Sequence, residues 1–330
     1  MSPRLLLPDL AGLTVVVLGD FVADEYLFGQ TDRVSREAPV PIVEFERSEL
    51  KLGAAANVAH NLRALGVKVR AVGALGADPA GRALKRACKA VGMDVTGLLP
   101  LPGVQTSVKT RILAGALHTT RQQLLRLDRG SRVGAEHAPA LLAALTAAVR
   151  NADALIISDY GAGSAGAWAG AAAASLARRL PVCVDSRFHL ATFRGVTVAK
   201  PNTPELVALA RPRAPKPVGQ AELRTLAHRV LRAQRLEALL VTRGRDGLAL
   251  YRRGQGPLEL DVFGAREAVD VTGAGDTVLA AFTALLARTS DLGYAAAVAN
   301  VAGGLVVQKP GTAVVTIAEL AAALTSLPVA

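Results

Sequence analysis

Cysteines, aromatic residues and long apolar runs are all scarce in this chain, and each scarcity removes a class of explanation. Cys88 and Cys183 are its 2 cysteines, at no metal-ligand spacing. Two thiols are too few for a disulfide framework, so a reducing, cytoplasmic compartment is expected. The histidines at 60, 118, 137, 189 and 228 are scattered, and neither His-Glu-x-x-His nor Cys-x-x-Cys occurs. A zinc enzyme is therefore not expected. No Gly-Lys pair occurs, which excludes a P-loop but not ATP. The opening MSPRLLLPDL lacks the apolar core of a signal peptide. The runs AAFTALLA and AAAVANVAGGLVV are too short to span a membrane and fit buried helices.

Basic charge is abundant, with a net +11 carried mostly by arginine. No dense basic block with interleaved aromatics accompanies it, so a nucleic-acid partner is not expected. A positive field would instead steer an anionic small substrate towards its site. The 330 residues, 51% hydrophobic, suffice for one large α/β domain.

The segment LTVVVLG (13–19) reads as a buried parallel strand. Residues 21–52 alternate polar and apolar and carry prolines, which predicts a few short, partly exposed strands. Residues 104–128 read as exposed antiparallel strands. We expect these two insertions to form one small β lid. Elsewhere strands alternate with helices: the helix AAANVAHNLRALG, the strand VKVRAVGALG, the helix PAGRALKRACKAVG, a helix from Ala138 to Arg150, then ALIIS, VCVD and ALLVTRG as strands with helices between. A hairpin through Gly254 and three closing helices follow, and residues 211–219 read as a surface loop. This rhythm predicts a single α/β domain over 1–330, its mainly parallel sheet covered by helices on both faces.

Three motifs carry chemistry. In VDVTGAGDTVLAAF (269–282), Gly273 and Gly275 let the backbone approach a ligand closely, and a helix starts at once. Its unpaired N–H groups and positive dipole end make an anion site suited to phosphate. Asp276 either complements the dipole or serves as a general base facing a hydroxyl. In KPNTPEL, Asn202 and Glu205 share a helix face and suit a hydrated Mg²⁺ on ATP phosphates, or else cap the helix. GAGSAG (161–166), with Asp185 about twenty residues on, matches dinucleotide spacing and offers an NAD-dependent oxidoreductase as a competing reading. Asp20 and Asp24 follow the first strand, where open α/β sheets bind ligands, and Asn57 is either a ligand contact or a cap.

The order of GD (19–20), LGAAANVAHNLRALG (52–66), NTPE (202–205), VTRGRDG (241–247) and DVTGAGDT (270–277) resembles the ribokinase/PfkB family of carbohydrate kinases over nearly the whole chain. RVSREAPVPIVEF, QQLLRLD and SDYGAG most resemble its branch acting on O1 of D-glycero-D-manno-heptose 7-phosphate. The resemblance implies a ribokinase-like fold, ATP and Mg²⁺, a K⁺ site near Asp270 and Thr272, and a homodimer through the lid. It implies an anion hole at Gly273, Ala274, Gly275 and Asp276, with Asp276 as base. Asn202 and Glu205 would organise Mg²⁺ through water, and Thr242, Arg243, Gly244 and Asn300 would line the nucleotide site. Asp20, Asp24, Gly53, Asn57, Lys109, Gln123, Asp159 and Arg187 would hold the sugar. A neutral-sugar kinase of the fructokinase or ribokinase kind is the rival within the family. Three places depart from the pattern. Ala54 replaces a second glycine, Ala162 a lysine, and Asp185-Ser186-Arg187 stands for Asp-Pro-Lys.

Overall fold

A computed structural model describes residues 6–116, 121–211, 218–264 and 267–326. Its strands are β1 (Thr14–Gly19), β2 (Phe21–Val34), β3 (Pro41–Ala54), β4 (Lys68–Gly76), β5 (Asp94–Leu101), β6 (Val108–Gly115), β7 (Gln122–Arg129), β8 (Ala154–Asp159), β9 (Val182–Ser186), β10 (Val198–Ala199), β11 (Ala238–Thr242), β12 (Leu248–Arg252) and β13 (Leu258–Leu260). Its α-helices are α1 (Ala55–Ala64), α2 (Pro79–Ala90), α3 (Ala138–Ala148), α4 (Trp168–Leu176), α5 (Thr203–Ala210), α6 (Gln220–Ala233), α7 (Ala274–Thr289), α8 (Leu292–Val306) and α9 (Ile317–Thr325).

Nine strands form one sheet in the order β13-β12-β11-β10-β9-β8-β1-β4-β5. Its pairs are parallel except those made by β12 and β13, which close the hairpin expected through Gly254. Strand β1 shows how the sheet feeds two cores. Val15 and Val17 pack towards α1, α7 and α8, while Val16 and Leu18 pack towards α4 and α6. Period-2 alternation on a strand buried on both faces produces this division. The ribokinase-like α/β architecture, a mainly parallel sheet with helices on both faces, is thus present.

The other four strands form a separate sheet in the order β3-β2-β6-β7. Here the sequence reading needs correction. Residues 21–52 build not several short strands but two of 14 residues each, β2 and β3, paired antiparallel with irregularities in register. A long two-stranded ribbon tolerates prolines at its ends, and Pro41 opens β3. Strand β5 escapes the sequence reading because Gly97 and Pro100 interrupt it. It lies on the sheet edge, where an absent N–H donor costs little. The loop expected at 211–219 lies mostly outside the described residues. Both cysteines are free and buried. Among the described residues no helix is long and apolar enough to cross a membrane.

Candidate active site

The carboxyl ends of β1, β8, β9, β10 and β11 bring together residues scattered through the chain. This is where an open parallel sheet leaves a crevice. Two adjoining cavities lie there. The larger, of about 590 Å³, is lined by Thr242, Arg243, Gly244, Leu248, Val278 and Asn300, among others. The smaller, of about 310 Å³, is lined by Asp159, Tyr160, Asp185, Arg187, Lys200, Glu205 and Asp276. Asn202, Thr242 and Gly275 line both.

The start of α7 stands where the cavities meet. Gly273 precedes the helix with φ 79°, and a Cβ built there would come within 2.5 Å of Asn57 Nδ2. Only glycine satisfies both the left-handed backbone and that close approach. Ala274 N–H already bonds Val271 C=O at 3.2 Å. The N–H groups of Gly275 and Asp276 have no partner among the described residues. Those two are the open donors of the first turn.

Asp276 itself is buried, and side chains hold both of its oxygens. Asn57 Nδ2 donates to Oδ2 at 2.8 Å, and Tyr160 O–H donates to Oδ1 at 2.8 Å. Burial, reinforced by the charge of Asp185, pushes the carboxyl up to about 6, against the pull of the two hydrogen bonds and of Lys200. That value suits a group that takes a proton near neutral pH. The dipole reading of Asp276 alone explains neither the side-chain clamp nor its place on a cavity wall. Tyr160 is pushed well above its ordinary value by burial and then by the Asp276 charge, so it is a donor.

Lys200 is buried and pairs with Asp185 at 2.8 Å. Burial works against its charge, but Asp185 outweighs that and raises it. A Cβ on Gly275 would lie 3.2 Å from its Nζ, so the ammonium sits beside the open N–H groups. Asp185 is therefore an ion-pair partner on the cavity wall, not a ribose acid. The GAGSAG segment also differs from a dinucleotide turn, since α4 begins only at Trp168. Asp20 clamps the intervening loop by accepting from the N–H groups of Tyr160, Ala162 and Ser164, each at 2.9 Å. The oxidoreductase reading is not supported.

The other expected residues divide. Asn202 and Glu205 form a reciprocal capping box on α5, at 2.8 and 2.9 Å. Glu205 uses only Oε2 in it, and burial raises its carboxyl. Asn300 lines the larger cavity and donates to Asp261 C=O at 2.7 Å. Asp159 accepts from Ser186 Oγ at 2.6 Å and meets His189 Nδ1 at 2.9 Å. Arg187 lines the smaller cavity. Asp24 pairs with Arg111 at 2.9 Å and leaves no room for a Cβ at Gly53, which would come within 2.6 Å. Lys109 Nζ lies 5.3 Å from the Tyr160 ring centroid, and burial lowers its ammonium. Gln123 is exposed on β7 and is not among the residues lining either cavity. Burial pulls the Asp270 carboxyl up, but hydrogen bonds from Thr272 and Gly311 win and hold it below its ordinary value.

Comparison with known proteins gives the chain's family. The profile of the pfkB family carbohydrate kinases matches residues 14–318. The chain belongs to that family. This kinase is 40% identical over 324 residues to the bifunctional protein HldE of Caulobacter vibrioides, covering 96% of the chain and 64% of that relative. It is 41% identical over 327 residues to the same-named protein of Halorhodospira halophila, covering 98% and 65%. The kinase thus spans somewhat less than two thirds of those relatives' lengths. Two solved structures share its fold. One is Arabidopsis thaliana ribokinase with ribose and ATP, with TM-score 0.72 and 19% identity, covering 95% of this chain and 99% of that one. The other is Escherichia coli phosphofructokinase-2 with potassium, with TM-score 0.77 and 15% identity, covering the same shares.

Tyr160 and Lys200 are the site residues that the sequence reading passed over. Lys200 carried a signal, since a lysine closing the apolar strand VTVA needs a buried partner. Tyr160 lies in the SDYGAG segment, but nothing local discloses its pairing with Asp276, 116 residues away.

Proposed function

We propose that this sugar kinase transfers the γ-phosphoryl group of ATP to O1 of D-glycero-D-manno-heptose 7-phosphate. One observation carries the transfer chemistry. A buried carboxylate raised to about 6 stands beside two open backbone N–H groups, where a large cavity and a small polar one meet. ATP fits the larger cavity, whose walls include Leu248, Val278 and Asn300. The acceptor fits the smaller one. Asp276 takes the proton of its hydroxyl, and the N–H groups of Gly275 and Asp276, with Lys200 beside them, stabilise the charge on the transferring group. Phosphoryl transfer needs positioning and charge stabilisation above all.

Mg²⁺ fits this site as a hydrated ion brought by the nucleotide. No cluster of three metal-binding side chains exists among the described residues. Glu205 Oε1, outside the capping box, and the Asn202 amide flank the junction and would bond the ion's waters. Bound Mg²⁺ would supply charge neutralisation on the phosphates. A K⁺ ion near Asp270 and Thr272 belongs to the same reading.

The heptose assignment rests on the segments at 33–45, 122–128 and 158–163 and on the kinship with the HldE proteins. Arg187, on the wall of the smaller cavity, suits a substrate phosphate. Ala162, whose N–H is held by Asp20, offers no charge there and favours the second reading, a kinase of a neutral sugar. We further propose that the small sheet acts as a lid on the single domain, that two chains pair through it, and that the enzyme works in the cytoplasm. Val34, Phe45, Leu124, Leu125 and Leu127 are exposed on that sheet. The deciding experiment is ADP release from Mg-ATP with heptose 7-phosphate, heptose, fructose and ribose as acceptors. Strong preference for the phosphorylated heptose upholds the assignment; preference for a neutral sugar replaces it with the second reading.

A further inference from the structure

We infer that Tyr160 is a positioning residue: its hydroxyl aims the Asp276 carboxylate into the acceptor cavity and withholds that carboxylate from water. The inference rests on the reading of Asp276 as the base and adds a residue to it.

A carboxylate has about four lone-pair sites, and the structure fills two of them from fixed side chains. Asn57 takes one on Oδ2 and Tyr160 one on Oδ1, both at 2.8 Å. The carboxylate plane is thereby set before any ligand arrives, leaving one direction on each oxygen. Tyr160 also lines the smaller cavity, so its ring stands where an acceptor must enter. The tyrosine is itself held. Its N–H donates to Asp20 Oδ2 at 2.9 Å, and Lys109 of β6 lies 5.3 Å from its ring centroid. It touches the clamped loop, the base and the small sheet at once.

The consequence concerns water. In productive transfer the acceptor O–H gives its proton to Asp276, its oxygen bonds to the γ-phosphorus, and the bond from that phosphorus to the bridging oxygen breaks to release ADP. Water balances the same step and yields ADP and inorganic phosphate. A kinase with an open carboxylate beside its anion site therefore wastes ATP. The Tyr160 hydroxyl fills a position on Oδ1 that a water would otherwise use. It also stabilises the ionised carboxylate, while burial and Asp185 oppose ionisation and Asn57 and Lys200 favour it. Arg187 and Asp159 line the same cavity.

The test uses Tyr160→Phe in the full chain, with the acceptor identified above. ADP and sugar phosphate are measured separately across pH. The expected result has three parts. Acceptor-dependent kcat falls roughly 10- to 100-fold, less than the roughly 100- to 10,000-fold that loss of a general base itself costs. The acid limb of kcat/KM moves to higher pH, because a donor to the ionised form is gone. The ratio of ADP to sugar phosphate rises. Parent values for all three overturn the inference. Should Tyr160→Phe impair folding, 3-fluorotyrosine incorporated at the chain's 4 tyrosines gives the opposite readout. A more acidic phenol donates more strongly, so the acid limb moves to lower pH; an unmoved limb overturns the inference. Asp276→Asn separates the two levels. If that variant keeps full turnover, the base reading falls. If it is inactive while Tyr160→Phe behaves as the parent, only the role of Tyr160 falls.

Discussion

Ile156 and Leu125 are both large apolar side chains on strands, yet the first is fully buried and the second 57% exposed. The contrast separates the large sheet from the outer part of the small one. The nine-stranded sheet sends alternate residues into two cores. In the four-stranded sheet every residue of β7 is exposed. The large sheet can therefore supply a rigid rim for chemistry, whereas the small sheet joins the core at its near end, through Phe21, Ala23, Leu52 and Val108. One of its links to the site is Lys109, whose Nζ lies 5.3 Å from the Tyr160 ring centroid. Substitutions on either side probe that division.

The largest effect is expected at the rim. Asp276→Asn should lower kcat roughly a thousandfold while ATP binding persists. Retained turnover would remove chemistry from the large sheet's rim as drawn. In the parent, kcat/KM should fall tenfold per pH unit below about 6 as Asp276 protonates. The same carboxyl opposes folding. Its folded value lies above the ordinary 3.8, so the folded state holds the proton more tightly. Its own contribution to stability is then greatest below pH 4 and declines as pH rises to about 6, by a total of about 3 kcal/mol. Asp276→Asn should therefore raise the unfolding temperature at pH 8, by a gain that grows between pH 4 and about 6 and is level above that. A lowered unfolding temperature there would contradict the burial argument.

The next effect tests stability directly. Ile156→Ala removes a fully buried side chain from the centre of the large sheet and should cost about 3 kcal/mol in denaturant unfolding. A cost below about 1 kcal/mol would mean that the core around β8 can collapse to fill the space.

The division between the sheets also explains what the sequence disclosed. Short apolar strands such as TVVVLG and ALIIS announce burial on both faces, and the structure places them at the centre. The glycine-rich start of α7 was legible because backbone chemistry fixes residue types locally. Asn202 and Glu205 were legible as a pair, since a capping box needs that spacing. What stayed hidden depends on distant partners. Asp20 is expected at the sugar site, but that its carboxylate clamps a loop 140 residues away in the chain is not legible locally. The length of β2 and β3 depends on their pairing, not on local propensity.

A joint between the sheets carries a smaller prediction. Ala54 ends β3 and precedes α1 with φ 53° and ψ −126°, a backbone state that an L residue with a Cβ adopts under strain. In the sequence Ala54 stands where the family pattern has a second glycine. The structure places the cost in the backbone. Ala54→Gly relieves it and should stabilise the fold by about 1 kcal/mol, offset in part by the entropy of an added glycine. Destabilisation on thermal unfolding would show that the buried methyl packs better than the backbone suffers.

The smallest expected effect is the one that can break the contrast. Leu125→Ser in β7 exchanges an exposed apolar side chain for a polar one and should change the stability of the isolated chain by no more than about 0.5 kcal/mol. The measurement should be made at two protein concentrations a hundredfold apart. If the chain pairs through its small sheet, Leu125 is buried in the pair, and the substitution lowers the unfolding temperature at the higher concentration alone. Sedimentation of the same variant would then show dissociation. A loss comparable to that of Ile156→Ala at both concentrations would mean that the small sheet is a core in its own right. An unchanged unfolding temperature at both concentrations, with unchanged sedimentation, would leave the exposed leucines of β7 without a role in pairing.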